Sequence, residues 1–247
     1  LEPHVALGLP SHDAVVRSLD KVVLSEEAEA VGLSCPPSVV CAERDEVLLV
    51  ARSFGFPVVL KPVTSLVRTD GFAWRQPGLI LNDESHLLAR LHDFGLPLIV
   101  QRCERATAVV SVAGVMADGC LAAVACARYA RTWPAASGSA SLSVSIDPPE
   151  RLVRQVERLV AGIGWKGIFE LELLDLGGGT FSTIDLNPRV YGSLALAIES
   201  GANLPAIWCD RVLGRRPAYA AARGGERYRW EEGEIRNALR YIRRREL

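Results

Sequence analysis

Residues 167–188 read GIFELELLDLGGGTFSTIDLNP, in which two segments of alternating apolar and polar residues flank the glycine run Gly177 to Gly179. Consecutive glycines are what a two-residue turn between antiparallel strands demands, because both central positions of such a turn take a positive φ that a side chain resists. With Gly178 and Gly179 as the turn, counting outward pairs Leu176 with Phe181, Leu174 with Thr183, Glu172 with Asp185 and Glu170 with Asn187. Side chains alternate between faces along a strand, so Glu170, Glu172, Asp185 and Asn187 share one face. Phe169, Leu171, Leu173, Ile184 and Leu186 take the other, which must be the core. A three- or four-residue loop through the same glycines would shift this register.

Like charges placed directly opposite one another destabilise a strand pair by up to about 1 kcal/mol, so the acidic face calls for a cation. A hard divalent ion bound through carboxylate and amide oxygens, Mg2+ or Mn2+, answers that need. Asp185 and Asn187, two apart on one strand, could each hold one side of a metal pair. Antiparallel sheets also commonly turn an acidic face to water, and spacing alone does not separate the two readings.

The next stretch, NPRVYGSLALAIESGANLPAIW, passes from Pro188 through a Gly-Ser turn into an apolar helix ending at Gly201. With GIFELELL, IDLNPRVYGSLALAIESGANLP, FPVVLKP, SLDKVVLSEEAEAVGLSCPPS and RYARTWPAASGSAS running in family order along most of the chain, the sequence resembles the ATP-grasp superfamily. Within it the likeness is to carboxylate-amine ligases related to the synthetase domains of carbamoyl phosphate synthetase. The resemblance implies an α+β fold: a small α+β lid subdomain, a larger antiparallel-sheet subdomain, and ATP bound between them. It makes Glu172, Asp185 and Asn187 the ligands of Mg2+ (or Mn2+) on the ATP phosphates, with Arg189 steadying transferred phosphate or a substrate carboxylate. The family usually has Glu where this chain has Asp185, and the shorter arm would shift the metal spacing without abolishing binding.

Lys61 ends the short apolar strand Pro57 to Leu60. A lysine there either projects a point charge into a cleft, a common way to hold phosphate, or simply reaches solvent. The resemblance favours the first and places Lys61 on the α and β phosphates. It puts Lys21 where a second phosphate-contacting lysine often stands, although a first-turn helix lysine is usually just solvated. The strand Leu98 to Val100 leads in relatives to the hinge where backbone groups read adenine, so Gln101, Arg102 and Cys103 are expected to line that side, with Glu104 on the ribose. CARYARTWPAASGSASLSVS reads as an irregular polar loop. Its arginines could fork onto phosphate or carboxylate, and the resemblance makes Arg128 and Arg131 substrate-side candidates; a plain surface loop is the alternative. Many ATP-grasp enzymes close a glycine-rich loop over the triphosphate. Here KPVTSLVRTDGFAWRQPG has only Gly71 and Gly78, which leaves Thr64, Ser65 and Arg68 to share that work.

Patterning predicts helices over Asp20 to Val31 and Glu43 to Phe54, the latter with Val47, Leu48, Ala51 and Phe54 on one side. Asn82 is a plausible N-cap for a helix through Asp93. A hairpin should turn at Asp118-Gly119, and a helix should run from Asp147-Pro148 to about Ala161. The C-terminal stretch WEEGEIRNALRYIRRREL places Ile235, Leu239 and Ile242 at helical spacing, a solvated amphipathic helix with partner binding as the lesser alternative. The expected division is a connector over 1–20, left from a missing N-terminal α/β domain, a lid over 21–102 and a body with the Mg-ATP site over 103–247.

The chain has 247 residues, 49% hydrophobic and 23% charged, enough for a sizeable core. A net charge of −1 argues against general nucleic-acid binding. No apolar run reaches membrane-spanning length and no signal peptide is visible, which points to the cytoplasm. Cys35, Cys41, Cys103, Cys120, Cys126 and Cys209 are scattered without a C-x-x-C pair, as expected of reduced thiols. His86 and His92 lie six apart, the wrong spacing for metal ligands one helical turn apart. No Gly-x-x-x-x-Gly-Lys-Ser/Thr occurs, so the phosphate device is not a P-loop.

The resemblance implies an ADP-forming ligase that activates a substrate carboxylate as an acyl phosphate and joins it to an amine. The expected partners are the small carboxylate and amine substrates and the missing N-terminal domain; a homodimer is compatible with it. Two alternatives stand beside that reading: phosphorylation of bicarbonate or carbamate in a carboxylase-type domain, and a non-catalytic nucleotide-binding module.

Overall fold

In the computed structural model, which describes residues 5–64, 66–69, 72–135 and 138–244, the chain opens with α1 (His12–Leu19) and α2 (Lys21–Ala30). Asp20 caps α2, its carboxylate accepting from the N–H groups of Val22 and Val23 at 2.8 and 3.2 Å, which satisfies donors that a helix start leaves open. Then follow β1 (Ser38–Cys41), α3 (Arg44–Phe54), β2 (Val58–Pro62), β3 (Leu66–Thr69), β4 (Phe72–Arg75), β5 (Leu79–Leu81), α4 (Glu84–Arg90) and β6 (Leu98–Arg102). Glu43 and Glu46 form a reciprocal capping box at the start of α3. The cap of α4 is Asp83, not Asn82, and α4 ends at Arg90, with Leu91–Asp93 tightening into a 3-10 turn.

β1, β2, β5 and β6 form an antiparallel sheet in the order β1-β6-β2-β5, while β3 and β4 pair in a separate ribbon. The ribbon is the segment expected to cover phosphates. Ser65 and Gly71 of that expectation lie outside the described residues. Val47 and Ala51 of α3 pack with Val58, Leu60, Leu98 and Val100 in a self-contained core on one side of this sheet.

The larger half contains β7 (Ala108–Ala117), β8 (Cys120–Trp133), β9 (Ser139–Ile146), α5 (Glu150–Ile163), β10 (Gly167–Gly177), β11 (Thr180–Asn187), α6 (Leu194–Glu199), α7 (Leu204–Val212), β12 (Ala220–Ala221), β13 (Arg227–Arg229) and α8 (Glu231–Arg244). Its sheet runs β11-β10-β7-β8-β9-β13 with antiparallel neighbours, and β12 adds to β8 in parallel. The turn at Asp118-Gly119 forms as expected, both residues at positive φ (54° and 78°). Val156, Leu159 and Ile163 of α5 pack beneath the sheet on Phe169, Leu171, Leu173 and Leu186.

Leu24, Ala28 and Leu33 belong to this same core. α2 thus packs with the body, and the small sheet begins at β1. The stretch expected as an irregular loop, CARYARTWPAASGSASLSVS, is mostly β8 and β9. Its strand character is hidden in the sequence because the inward positions are serines: Ser141, Ser143 and Ser145 are buried. Tertiary partners make that tolerable at Ser141 and Ser145. Ser141 donates to Glu234 and accepts from Asn237 of α8, and Ser145 donates to the Arg223 carbonyl. α8 forms where expected, with Asn237 turned to the sheet and Ile235, Leu239 and Ile242 at 61%, 48% and 60% exposure.

The glycine hairpin closes with Gly178 and Gly179 at φ 61° and 78°, and Glu170 pairs with Asn187 and Glu172 with Asp185 as counted from the sequence. Between those pairs and the turn the register differs: Leu174 faces Ser182, and Asp175 faces Phe181. Each strand carries one extra residue, Leu176 in β10 and Ile184 in β11, and the two bulges cancel. Ile184, expected in the core, is thereby released from the alternation and lines a cavity instead.

Candidate active site

A cavity of about 740 Å3 opens between the two sheets. From the small sheet and its hinge it receives Lys61, Gln101, Arg102, Cys103 and Glu104; from α2, Lys21; from the large sheet and the turn after it, Tyr129, Glu170, Glu172, Asp185, Asn187 and Arg189. Lys21, Lys61, Gln101, Arg102, Cys103, Glu104, Glu172, Asp185 and Asn187, assigned from the sequence to nucleotide and metal, all reach this one space.

Lys61 arrives because β2 ends at the cavity edge, and its Nζ donates to the carbonyl of the bulged Ile184 at 3.1 Å. Burial, then the neighbouring charge of Lys21, pull its pKa down to about 8 against the opposing pull of Asp185 and Glu172. Lys21, one residue past the cap of α2, holds Asp185 at 2.8 Å. The acidic face thus has a resident cation beside it, which answers part of the like-charge cost noted in the sequence.

The carboxylates are layered. All three of Glu170, Glu172 and Asp185 line the cavity, but Glu170 is only 4% exposed. The Tyr129 hydroxyl lies 3.1 Å from Glu170 Oε1 and 3.0 Å from Glu172 Oε1. Asn187 donates through Nδ2 to Glu170 Oε2 at 3.2 Å and accepts through Oδ1 from Arg189 at 3.1 Å. Burial and the charge of Glu172 raise the pKa of Glu170, and burial with both glutamates raises that of Tyr129 well above the ordinary phenol value.

Two carboxylates and an amide oxygen suit a hard divalent ion, and Glu172, Asp185 and Asn187 supply that set. Among the described residues no group of three or more His, Cys, Asp or Glu is arranged as a metal cluster. On the opposite wall, Glu104 Oε2 is buried with no hydrogen-bond partner among the described residues. An orphaned buried carboxylate oxygen is costly, and a pair of ribose hydroxyls would satisfy it. Gln101 spends its amide on Ser38 at 2.9 Å, and the Arg102 N–H on the Pro37 carbonyl, contacts that tie the hinge to β1.

Arg128 and Arg131 are not brought to the cavity. Arg128 precedes Tyr129 on β8, so alternation turns it to the opposite face, where it pairs with Asp175. Arg131 sits at a break in the β8–β9 register and forks onto Glu234 of α8. Reading this stretch as a loop hides that parity. Tyr129 escapes the sequence reading for the same reason, and its signal is its position between two arginines on a strand.

No protein-family model matches this sequence, and none of the curated proteins is similar enough in sequence to match. Among solved structures, the chain is similar to N5-carboxyaminoimidazole synthetase from Staphylococcus aureus complexed with ADP, at 14% identity and a TM-score of 0.66, covering 85% of this chain and 56% of that one. The N5-carboxyaminoimidazole ribonucleotide synthetase from Thermus thermophilus has 19% identity, a TM-score of 0.66 and coverage of 87% and 57%. The biotin carboxylase domain of 2-oxoglutarate carboxylase from Hydrogenobacter thermophilus, a dimer in complex with MgADP, ADP and bicarbonate, has 16% identity, a TM-score of 0.69 and coverage of 92% and 52%. The chain therefore spans a little over half the length of these proteins. They carry one fold, ATP-grasp, and this chain has it. No helix among the described residues is long and apolar enough to cross a membrane.

Proposed function

We propose that this chain, an ATP-grasp fold, carries the nucleotide site of an ATP-dependent ligase that activates a substrate carboxylate as an acyl phosphate, joins it to an amine and releases ADP and phosphate. The observation that carries the reading is the convergence, in one cavity between two sheets, of a strand-end lysine, an orphaned carboxylate oxygen and an acid-acid-amide set. Lys61 places its charge where phosphate oxygens would lie, and Lys21 stands beside Asp185 at the same end. Glu104 would accept from ribose hydroxyls, with Gln101, Arg102 and Cys103 along the adenine side. Glu172, Asp185 and Asn187 would hold Mg2+ or Mn2+, which when bound would offset charge building on the transferred phosphoryl group. Arg189, anchored by Asn187, would face the substrate carboxylate. Arg128 and Arg131 take no part in this scheme, being spent on Asp175 and Glu234. The similar structures above, complexed with ADP or with MgADP, ADP and bicarbonate, support nucleotide binding here.

The test is phosphate release from ATP and Mg2+ across panels of organic acids and amines, with hydroxylamine as a trap. A hydroxamate of an organic acid is the expected product. Release dependent on bicarbonate alone would replace the organic acid by bicarbonate. Nucleotide binding without release across the panel would leave only a binding module.

Lys61 gives this site a pH signature. Phosphate needs its charged form, so nucleotide affinity is expected to fall as pH rises through about 8, by up to about tenfold per pH unit. Stability of the nucleotide-free protein should move the other way. The folded pKa lies below the unfolded one, so between the two the unfolded chain holds more protons and Lys61 makes stability rise with pH. Titration calorimetry over this range, with Lys61→Arg as the variant that stays charged, separates the two. An affinity that falls equally in that variant would rule Lys61 out as the cause.

A further inference from the structure

We propose that Glu170 and Tyr129 are positioning residues that lock the side-chain amide of Asn187 with its oxygen toward the cavity, and that this lock sets the affinity of the site for a divalent cation. The inference rests on the ligase reading above and names which buried groups tune its metal end. An asparagine amide is a poor metal ligand when it can turn over, because one end accepts and the other only donates. Here two neighbours, Glu170 and Arg189, dictate the same answer. Glu170, as a carboxylate or protonated on Oε1, accepts at Oε2 and takes Nδ2 at 3.2 Å; the Arg189 guanidinium can only donate, and it takes Oδ1 at 3.1 Å. Turning the amide over would set oxygen against oxygen and N–H against N–H at once.

Glu170 can hold that post because it is itself fixed. It is 4% exposed, and its other oxygen lies against the Tyr129 hydroxyl, itself 9% exposed, which also reaches Glu172. Whether Glu170 carries a proton does not alter the lock: a proton on Oε1 would point to Tyr129, whose own hydrogen would then pass to Glu172, and Oε2 would still accept from Asn187. Partners behind the first ring of metal ligands typically change metal affinity by about 10- to 100-fold when removed.

The probe is Mn2+ in the presence of ADP, its free concentration read by electron paramagnetic resonance. Glu170→Gln keeps the shape but can donate toward Asn187, so the amide is free to turn; Mn2+ affinity should drop about 10- to 100-fold. ADP affinity without metal and the thermal midpoint should stay near wild type. Tyr129→Phe should produce a smaller loss of the same sign. In an Asn187→Asp background both ends of residue 187 are oxygens, so adding Glu170→Gln should cost nothing further. Loss of the same size in both backgrounds, or no loss in either, would overturn the lock while leaving the ligase reading in place. Failure of the wild-type protein to bind Mn2+ with ADP would instead defeat both.

Discussion

Asp185→Asn is expected to lower ATP-dependent phosphate release by about 100- to 1000-fold, the scale of losing a few kcal/mol of charge stabilisation at the transferred phosphoryl group. The substitution is nearly isosteric, yet it withdraws a charged oxygen from the Glu172, Asp185 and Asn187 set and weakens the 2.8 Å contact that holds Lys21 at the cavity edge. Glu172→Gln should act in the same direction. Metal-free ADP binding should persist in either, because Lys61 and Glu104 remain in place, although each substitution removes one of the charges that hold the Lys61 pKa up. Single-turnover phosphate release, with metal-free ADP binding beside it, is the measurement. Turnover within a few-fold of wild type in both variants would mean that this face of the hairpin does not serve the chemistry.

Phe169→Ala should cost about 3–5 kcal/mol of stability. Phe169 is fully buried on the face of β10 opposite Glu170, in the core shared by α2, α5 and the large sheet. Room for its ring comes from β7, where the missing side chain of Gly114 would stand 3.2 Å from Phe169 Cε1. Most domains are stable by only about 5–15 kcal/mol, so one truncation would use a large share of the total. Removing the ring would also slacken the strand that presents Glu170 and Glu172. Ile242→Ala on the outer face of α8 is the control, expected within about 0.5 kcal/mol. Urea unfolding followed by circular dichroism distinguishes them, and a Phe169→Ala cost under about 1 kcal/mol would refute the packing argument.

The hairpin is legible in the sequence because local chemistry dictates it: consecutive glycines at positive φ and apolar-polar alternation on both sides. Its outer pairs come out correctly even though both strands are bulged, since the extra residues Leu176 and Ile184 compensate. Nothing local marks a bulge of that kind, so alternation alone puts Ile184 in the core, while its carbonyl in fact receives Lys61. The β8–β9 stretch misleads for a related reason. Three of its buried positions in β9 are serines, two of whose hydroxyls are satisfied by Glu234, Asn237 and the Arg223 carbonyl from segments some eighty to a hundred residues away.

What the sequence by itself determined was the class of element at each glycine turn and at most helix starts, the shared face of Glu172, Asp185 and Asn187, and the strand-end placement of Lys61. These depend on backbone conformation and on side-chain alternation, which act over a few residues. Only the tertiary structure decided that α2 packs with the body, that Arg128 and Arg131 turn to Asp175 and Glu234, and that Glu170 lies buried behind Tyr129 and Asn187. Those outcomes depend on which distant surface covers each face, and the free energy of burying or pairing a polar group belongs to both partners at once.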